Sequence, residues 1–366
     1  MARAGVISTI STDDLAPLVD GDPEYFLLDV REPDEVKEWF IPGVHNIPLG
    51  ELALRVGEVP SDKQVILICA KGARALQGAQ ILSDNGLSSA VLEGGMGAWA
   101  STYDQVEANF AGAKVIQVRR RGKGCLSYVI GAGQSAVVID PSLNTALYQE
   151  IALTHGWTIS YIVDTHLHAD HISGARQLRD VTKATLYLSP HDPFSFDFEP
   201  LSDAQQLELT SGVSLKVSAV SVPGHTEGST MYKLGSSAVF TGDTLFLESV
   251  GRPDLAEQAE SFAHNLFASL HGRILPLDDE IMVFPAHYGQ EVEVRSGEFV
   301  AKKLGELRGK LPALSLSEKD FVAWAIANVK DRPPNYQEIV RINAGQSAFG
   351  PEGVEMELGP NRCAIA

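Results

Sequence analysis

Tyr161-Ile162-Val163-Asp164-Thr165-His166-Leu167-His168-Ala169-Asp170-His171 decides how this chain is read. An apolar run of strand character ends at Val163, and three imidazoles and a carboxylate follow within the six residues 166–171. Neutral imidazole nitrogen suits zinc and iron, and a carboxylate supplies negative charge for a dication. One histidine would pass as a packing residue. Three with Asp170, spaced H-x-H-x-D-H, predict a metal site.

Three later segments offer more donors in order. Val222-Pro223-Gly224-His225-Thr226 presents His225 after a strand, and Phe240-Thr241-Gly242-Asp243-Thr244 presents Asp243 in a similar place. Phe284-Pro285-Ala286-His287-Tyr288 adds His287. Short strands are expected at 114–119, 127–131 and 136–140, a helix at 146–154 and a strand at 159–164. The metal motif is expected to open a helix at 172–178, and strands follow at 213–222, 230–234 and 238–241. Two strand-rich halves with interspersed helices predict stacked sheets flanked by helices.

The first hundred residues carry a different pattern. Phe26-Leu27-Leu28-Asp29-Val30, Gln64-Val65-Ile66-Leu67-Ile68 and Ala90-Val91-Leu92 are short apolar runs separated by helical stretches. That predicts a parallel sheet covered on both faces, with chemistry at the carboxyl ends of its strands. Cys69 stands at such an end, in Cys69-Ala70-Lys71-Gly72-Ala73-Arg74. A strand-to-helix loop can aim peptide N–H groups at a sulfur and favour its thiolate. Lys71 and Arg74 add positive charge for an anionic substrate.

Composition sets outer bounds. At 366 residues two domains are expected, and 44% apolar with 21% charged residues is ordinary for a globular chain. A net charge of −18 argues against nucleic acid and anionic membrane as partners. No secretory h-region and no apolar run near the roughly 18 residues of a membrane span is present, and the three cysteines are widely spaced. These features predict a cytoplasmic chain whose thiols are reduced. Cys125 and Cys363 are read as structural. Composition leaves a homo-oligomer open.

Asp29-Val30-Arg31-Glu32, Ile41-Pro42-Gly43-Val44-His45-Asn46-Ile47-Pro48, the cysteine loop and Gly94-Gly95-Met96-Gly97-Ala98-Trp99 occur in that order. Together they resemble a rhodanese domain over residues 5–105, with Trp39-Phe40 standing where the family usually has Gly-His. The resemblance implies an α/β sulfurtransferase in which Cys69 carries a persulfide, with Lys71 and Arg74 near the donor. The histidine and aspartate segments resemble the metallo-β-lactamase superfamily, expected over 112–366 as a four-layer αβ/βα sandwich. Its dinuclear zinc hydrolases, such as glyoxalase II, would use two ions per chain. His166, His168 and His225 would hold one, and Asp170, His171 and His287 the other, with Asp243 bridging.

Val250-Gly251-Arg252-Pro253-Asp254-Leu255, the residues around His287 and Pro333-Pro334-Asn335-Tyr336 resemble the persulfide dioxygenases more closely. That resemblance implies one Fe(II) held by His166, His225 and Asp243, with His168, Asp170, His171 and His287 behind them. It implies Arg252 on a glutathione carboxylate. The implied reaction takes a glutathione or similar persulfide and O2 to sulfite, with thiosulfate or sulfite exchanging sulfur at Cys69.

Overall fold

The computed structural model describes residues 5–20, 24–210, 216–253, 258–289, 292–329, 332, 335–350 and 353–364. Asp254, Leu255, Pro333 and Pro334 of the motifs above, and the start of the strand expected at 213–222, lie outside the described residues.

Five parallel strands form the first sheet: β1 (Ile7–Ile10), β2 (Tyr25–Asp29), β3 (His45–Asn46), β4 (Gln64–Ile68) and β5 (Ser89–Leu92), in the order β1-β5-β4-β2-β3. The apolar runs alternate faces. Leu27, Ile66, Ile68 and Leu92 enter one buried cluster, while Leu28, Val65, Leu67 and Val91 enter another on the opposite side. Both faces are therefore covered, as a parallel sheet requires.

A second sheet contains β6 (Tyr103–Phe110), β7 (Ala113–Arg120), β8 (Cys125–Ala132), β9 (Ser135–Ile139), β10 (Thr158–Val163), β11 (Thr185–Leu188) and β12 (Glu199–Pro200), in sequential order. β6 begins within the last residues of the stretch read as rhodanese-like and pairs with β7 along its whole length. The third sheet runs β13 (Gln206–Glu208), β14 (Lys216–Ser221), β15 (Thr230–Leu234), β16 (Ala238–Gly242), β17 (Met282–Pro285) and β18 (Lys302–Lys303). Val115, Tyr128, Ile130 and Val137 from one sheet meet Val217, Phe240, Val283 and Phe284 from the other in one large core. On the far face of the second sheet, Tyr148 and Ile151 of the helix Thr145–His155 and Leu178 of the helix Ala175–Thr182 complete a separate cluster. The fold is thus the stacked pair of sheets flanked by helices.

The helix after the histidine cluster starts at Ala175, three residues later than its expected start at 172. The reason is visible in its backbone. The N–H groups of Thr165, Leu167, Ile172 and Ser173 donate to Asp140, Asp192, Glu357 and Asn343 side chains, at 2.6, 2.9, 2.5 and 2.9 Å. Peptide donors held by remote carboxyl and carboxamide oxygens keep 164–174 as an irregular loop. Further helices form at Leu304–Lys310 and Glu318–Ala327. Tyr336 opens the helix Tyr336–Asn343, with Arg332 over its ring at 5.2 Å.

The two units are fastened together. Trp39, which departs from the rhodanese pattern, donates its indole N–H to Gly122 O at 2.7 Å. Arg121 pairs with Asp20 and Asp104. Arg120 pairs with Glu357 at 2.6 Å with both side chains buried, and donates to Ala100 O. Removing one partner of a buried pair strands the other charge. Glu357→Ala is expected to lower the unfolding free energy by about 3–5 kcal/mol, read from the denaturant midpoint. A loss below about 1 kcal/mol would show that the pair behaves as a surface contact.

Candidate metal centre and cysteine loop

Every candidate metal ligand follows a strand. His166 to His171 follow β10, His225 lies beyond β14, Asp243 directly follows β16 and His287 follows β17. Gly242 permits the approach of Asp243: its φ is +54°, and a Cβ there would sit 2.7 Å from the Thr165 side chain. All of these ligand side chains are buried.

Among the described residues the donors fall into four groups, one of which, Asp243, His287 and Cys363, shares members with two others. Nε2 of His166 and Nε2 of His225 each lie 3.6 Å from Oδ2 of Asp243, and none of these three atoms has a hydrogen-bond partner. The opposite ring nitrogens are fixed. Nδ1 of His225 is 2.9 Å from Arg252 O, and Nδ1 of His166 is 2.9 Å from Thr165 Oγ1. Outer contacts of this kind set the tautomer and aim the free nitrogen inward. Two imidazoles and a carboxylate facing one another, buried and unpartnered, fit a divalent ion of the two-histidine, one-carboxylate type.

The second group is Cys125, Asp170, His171 and His287, whose ligand atoms lie within 4.8 Å of one another. Here the groups largely engage each other: His171 Nδ1 is 3.0 Å from Asp170 Oδ1, and His287 Nδ1 is 2.6 Å from Asp243 Oδ1. His168 stands in a third group with Asp140 and Asp164, its Nε2 3.1 Å from Asp140 Oδ1 and its Nδ1 unpartnered.

Electrostatics separates the same groups. Burial pushes His166 and His225 below the usual histidine range, which keeps them neutral. Burial also opposes charge on His287 and His171, but Asp170, joined by Asp243 at His287, outweighs it and holds both well above that range. Burial works against the Asp243 carboxylate too, yet the neighbouring imidazoles, His287 foremost, keep it well below the usual value. Cys125 is brought to about 7, burial raising it and His171 and His287 together more than compensating.

Several residues at this centre had no role in the sequence reading. Asp140 takes Thr165 N–H and Oγ1 and His168 on one carboxylate. Its place after an apolar strand end is the same signal that marked Cys69. Asn343 donates to the carbonyls of His168 and His171, and no local pattern announces it. Cys125 and Cys363, read as structural, both enter the metal-ligand groups. Arg252 is buried; its backbone carbonyl holds His225, and its Nη1 donates to Arg362 O at 3.0 Å.

Around Cys69 the loop does what its position predicts. The buried Sγ accepts from Gly72 N–H at 3.1 Å and Ala75 N–H at 3.4 Å, at the start of the helix Ala73–Asp84. Gly95 closes the loop from below, where a Cβ would sit 2.2 Å from Cys69 O. The cations are engaged elsewhere. Arg74 forms a two-pronged pair with Glu35 at 2.6 and 2.7 Å, which lowers the Glu35 carboxyl to about 2. Lys71 is exposed and lies 3.6 Å from Glu355. Asp29 binds Arg31, whose guanidinium also reaches Trp39 O, so Asp29 braces the turn that positions Trp39.

The Thr165 contact can be tested. Thr165→Val keeps the shape but removes the oxygen that holds His166, and is expected to weaken metal binding by about 10–100-fold in chelator competition. Unchanged affinity would mean that the hydroxyl does not orient the ring.

The rhodanese-like domain model matches residues 11–102 and the metallo-beta-lactamase superfamily model residues 120–287. Human persulfide dioxygenase ETHE1, a mitochondrial protein, is 32% identical over 212 residues, 54% of this chain and 74% of the human one. The crystal structure of ETHE1 from Myxococcus xanthus superposes with a TM-score of 0.54 at 25% identity, over 67% of this chain and 100% of that one. A metallo-beta-lactamase structure from Staphylococcus aureus gives 0.57 at 25% identity, over 65% of this chain and 74% of its own length. With a parallel-sheet domain ahead of the sandwich and the donors placed after successive strands, the chain belongs to the metallo-beta-lactamase superfamily, in the family of the ETHE1 persulfide dioxygenases, as a member fused to a rhodanese-like domain.

Proposed function

We propose that the chain oxidises a low-molecular-weight thiol persulfide, with glutathione persulfide the leading candidate, using O2 and one Fe(II) held by His166, His225 and Asp243. The observation that carries this reading is the buried trio of unpartnered atoms, two Nε2 and one Oδ2, facing one another while Asp170, His171 and His287 are engaged in ion pairs. Bound there, a ferrous ion supplies open coordination positions where a substrate sulfur and dioxygen meet, with sulfite as the expected product. The chain's own residues do the positioning. Thr165 and the Arg252 carbonyl fix the two imidazoles, and His287 fixes Asp243. The buried surroundings keep bulk water from the centre. Arg252 is the proposed partner for a substrate carboxylate, by virtue of its planar fork.

Cys69 is proposed to carry sulfane sulfur between a small donor such as thiosulfate and the thiol substrate. The Gly72 and Ala75 N–H groups favour its anionic sulfur. Fusion to the oxidising domain would raise the local concentration of a labile persulfide.

A second reading has its own observation. The compact set Cys125, Asp170, His171 and His287 could take a second ion, which would suit a zinc thioester hydrolase of the glyoxalase II kind. Metal analysis of anaerobically purified protein separates them. The dioxygenase reading expects one iron per chain and O2 uptake dependent on glutathione persulfide. Two zinc ions per chain with no such uptake would overturn it in favour of the hydrolase. Cys69→Ser is expected to abolish sulfur transfer from thiosulfate while O2 uptake persists. Loss of both in a folded variant would show that the sites do not work independently.

A further inference from the structure

Segment 353–364 runs from the cysteine loop of the first domain to the metal centre of the second. Glu355 faces Lys71, and Leu358 packs against the first-domain core. Glu357 is buried against Arg120 and the N–H of Ile172, and Arg362 pairs with Glu38. The end of the segment is fixed by residues of the metal domain. Arg252 N–H donates to Cys363 O at 3.0 Å, Arg252 Nη1 to Arg362 O at 3.0 Å, and Ala364 bridges Gly251. Cys363 N–H donates to Asn361 Oδ1 at 2.6 Å.

That fastening points the Cys363 side chain inward. Its thiol is 1% exposed, and the ligating atoms of Asp243, His287 and Cys363 lie within 4.8 Å of one another. Oδ2 of Asp243 has no hydrogen-bond partner, nor do Nε2 of His166 and His225 that face it, while Nε2 of His287 lies 3.1 Å from Asp170 Oδ2. A structural cysteine fills apolar space. This one is packed against a carboxylate and an imidazole of a metal centre.

We propose that Cys363 is a thiolate ligand of the metal ion that Asp243 holds. The inference rests on the metal-centre reading above and adds a protein sulfur to it. As the sulfur–metal bond forms, the thiol proton leaves to solvent and no electron changes hands. A divalent ion of the iron and zinc series accepts thiolate readily. An ion held there would then carry a protein sulfur beside the nitrogen and oxygen donors before any substrate binds.

Cobalt(II) substitution tests this without recourse to turnover. The full-length protein, loaded anaerobically with one equivalent of cobalt, is expected to show the intense near-ultraviolet band of thiolate-to-cobalt charge transfer. Cys363→Ser and Cys363→Ala are expected to lose that band while still binding one cobalt per chain. Cys125→Ser is expected to keep it, which assigns the sulfur. A wild-type complex without the band, or a band that survives both Cys363 variants, would overturn the proposal. The metal-centre reading is tested apart from it: His225→Ala should lose cobalt affinity whatever the band shows, and unchanged binding in that variant would sink the site itself together with the proposal.

Discussion

Four peptide N–H groups in the loop 164–174 depend on side chains from elsewhere in the chain, and the metal centre depends on that loop. Thr165, Leu167, Ile172 and Ser173 donate to Asp140, Asp192, Glu357 and Asn343. A buried N–H without a partner costs about 1–3 kcal/mol, so the loop could not hold this irregular path on its own. Each oxygen that satisfies it comes from another part of the fold: the end of β9, the region after β11, segment 353–364 and the helix Tyr336–Asn343. The imidazoles are thus held in place by the completed tertiary structure, and the centre forms only when the sheets and the last helices have docked.

The same elements tie the two domains. Glu357 satisfies Ile172 with one oxygen and Arg120 with the other, while the Arg120 side chain also reaches Ala100 of the first domain. Trp39 contributes at a second point, its indole on Gly122 and its carbonyl on Arg31. The departure of Trp39-Phe40 from the usual rhodanese pattern therefore has a physical role: Trp39 packs in the first-domain core while its indole N–H reaches Gly122 of the neighbouring hairpin. The fusion is a packed assembly and not two units on a tether.

How far the sequence disclosed this depends on the range of the interaction. Parallel and antiparallel sheets were legible because period and composition are local properties of a strand. The ligand types were legible because His-x-His-x-Asp-His and the segments at His225, Asp243 and His287 each carry chemistry within a few residues. Asn343, Glu357 and Cys363 were not: Asn343 and Glu357 act on positions 170 and 185 residues away, Cys363 lies against Asp243 and His287, 120 and 76 residues away, and nothing in their neighbours records the partner. The helix start after His171 was misplaced for the same reason: the remote oxygens that take its N–H groups are invisible locally. Arg74 illustrates a different gap. Its position suggested an anion-binding cation, and the fold pairs it with Glu35, a residue 39 positions earlier.

Charge balance explains why one polar cluster divides into unequal parts. Asp243 and Asp170 are buried and anionic, and each needs positive charge nearby. At Asp170 the fold supplies it internally, because His171 and His287 are held protonated beside the carboxylate. A second metal ion would have to displace those protons, which makes its binding dependent on pH. Around Asp243 Oδ2 the facing imidazoles of His166 and His225 are kept neutral by burial, and their free nitrogens offer lone pairs. His287 supplies positive charge at Asp243 Oδ1, and the free nitrogens facing Oδ2 suit a cation that accepts lone pairs. A dense six-residue run of ligand types therefore does not by itself imply two equivalent ions: one half of the cluster is engaged in internal ion pairs, while the other leaves unpartnered nitrogens and an unpartnered oxygen facing one another.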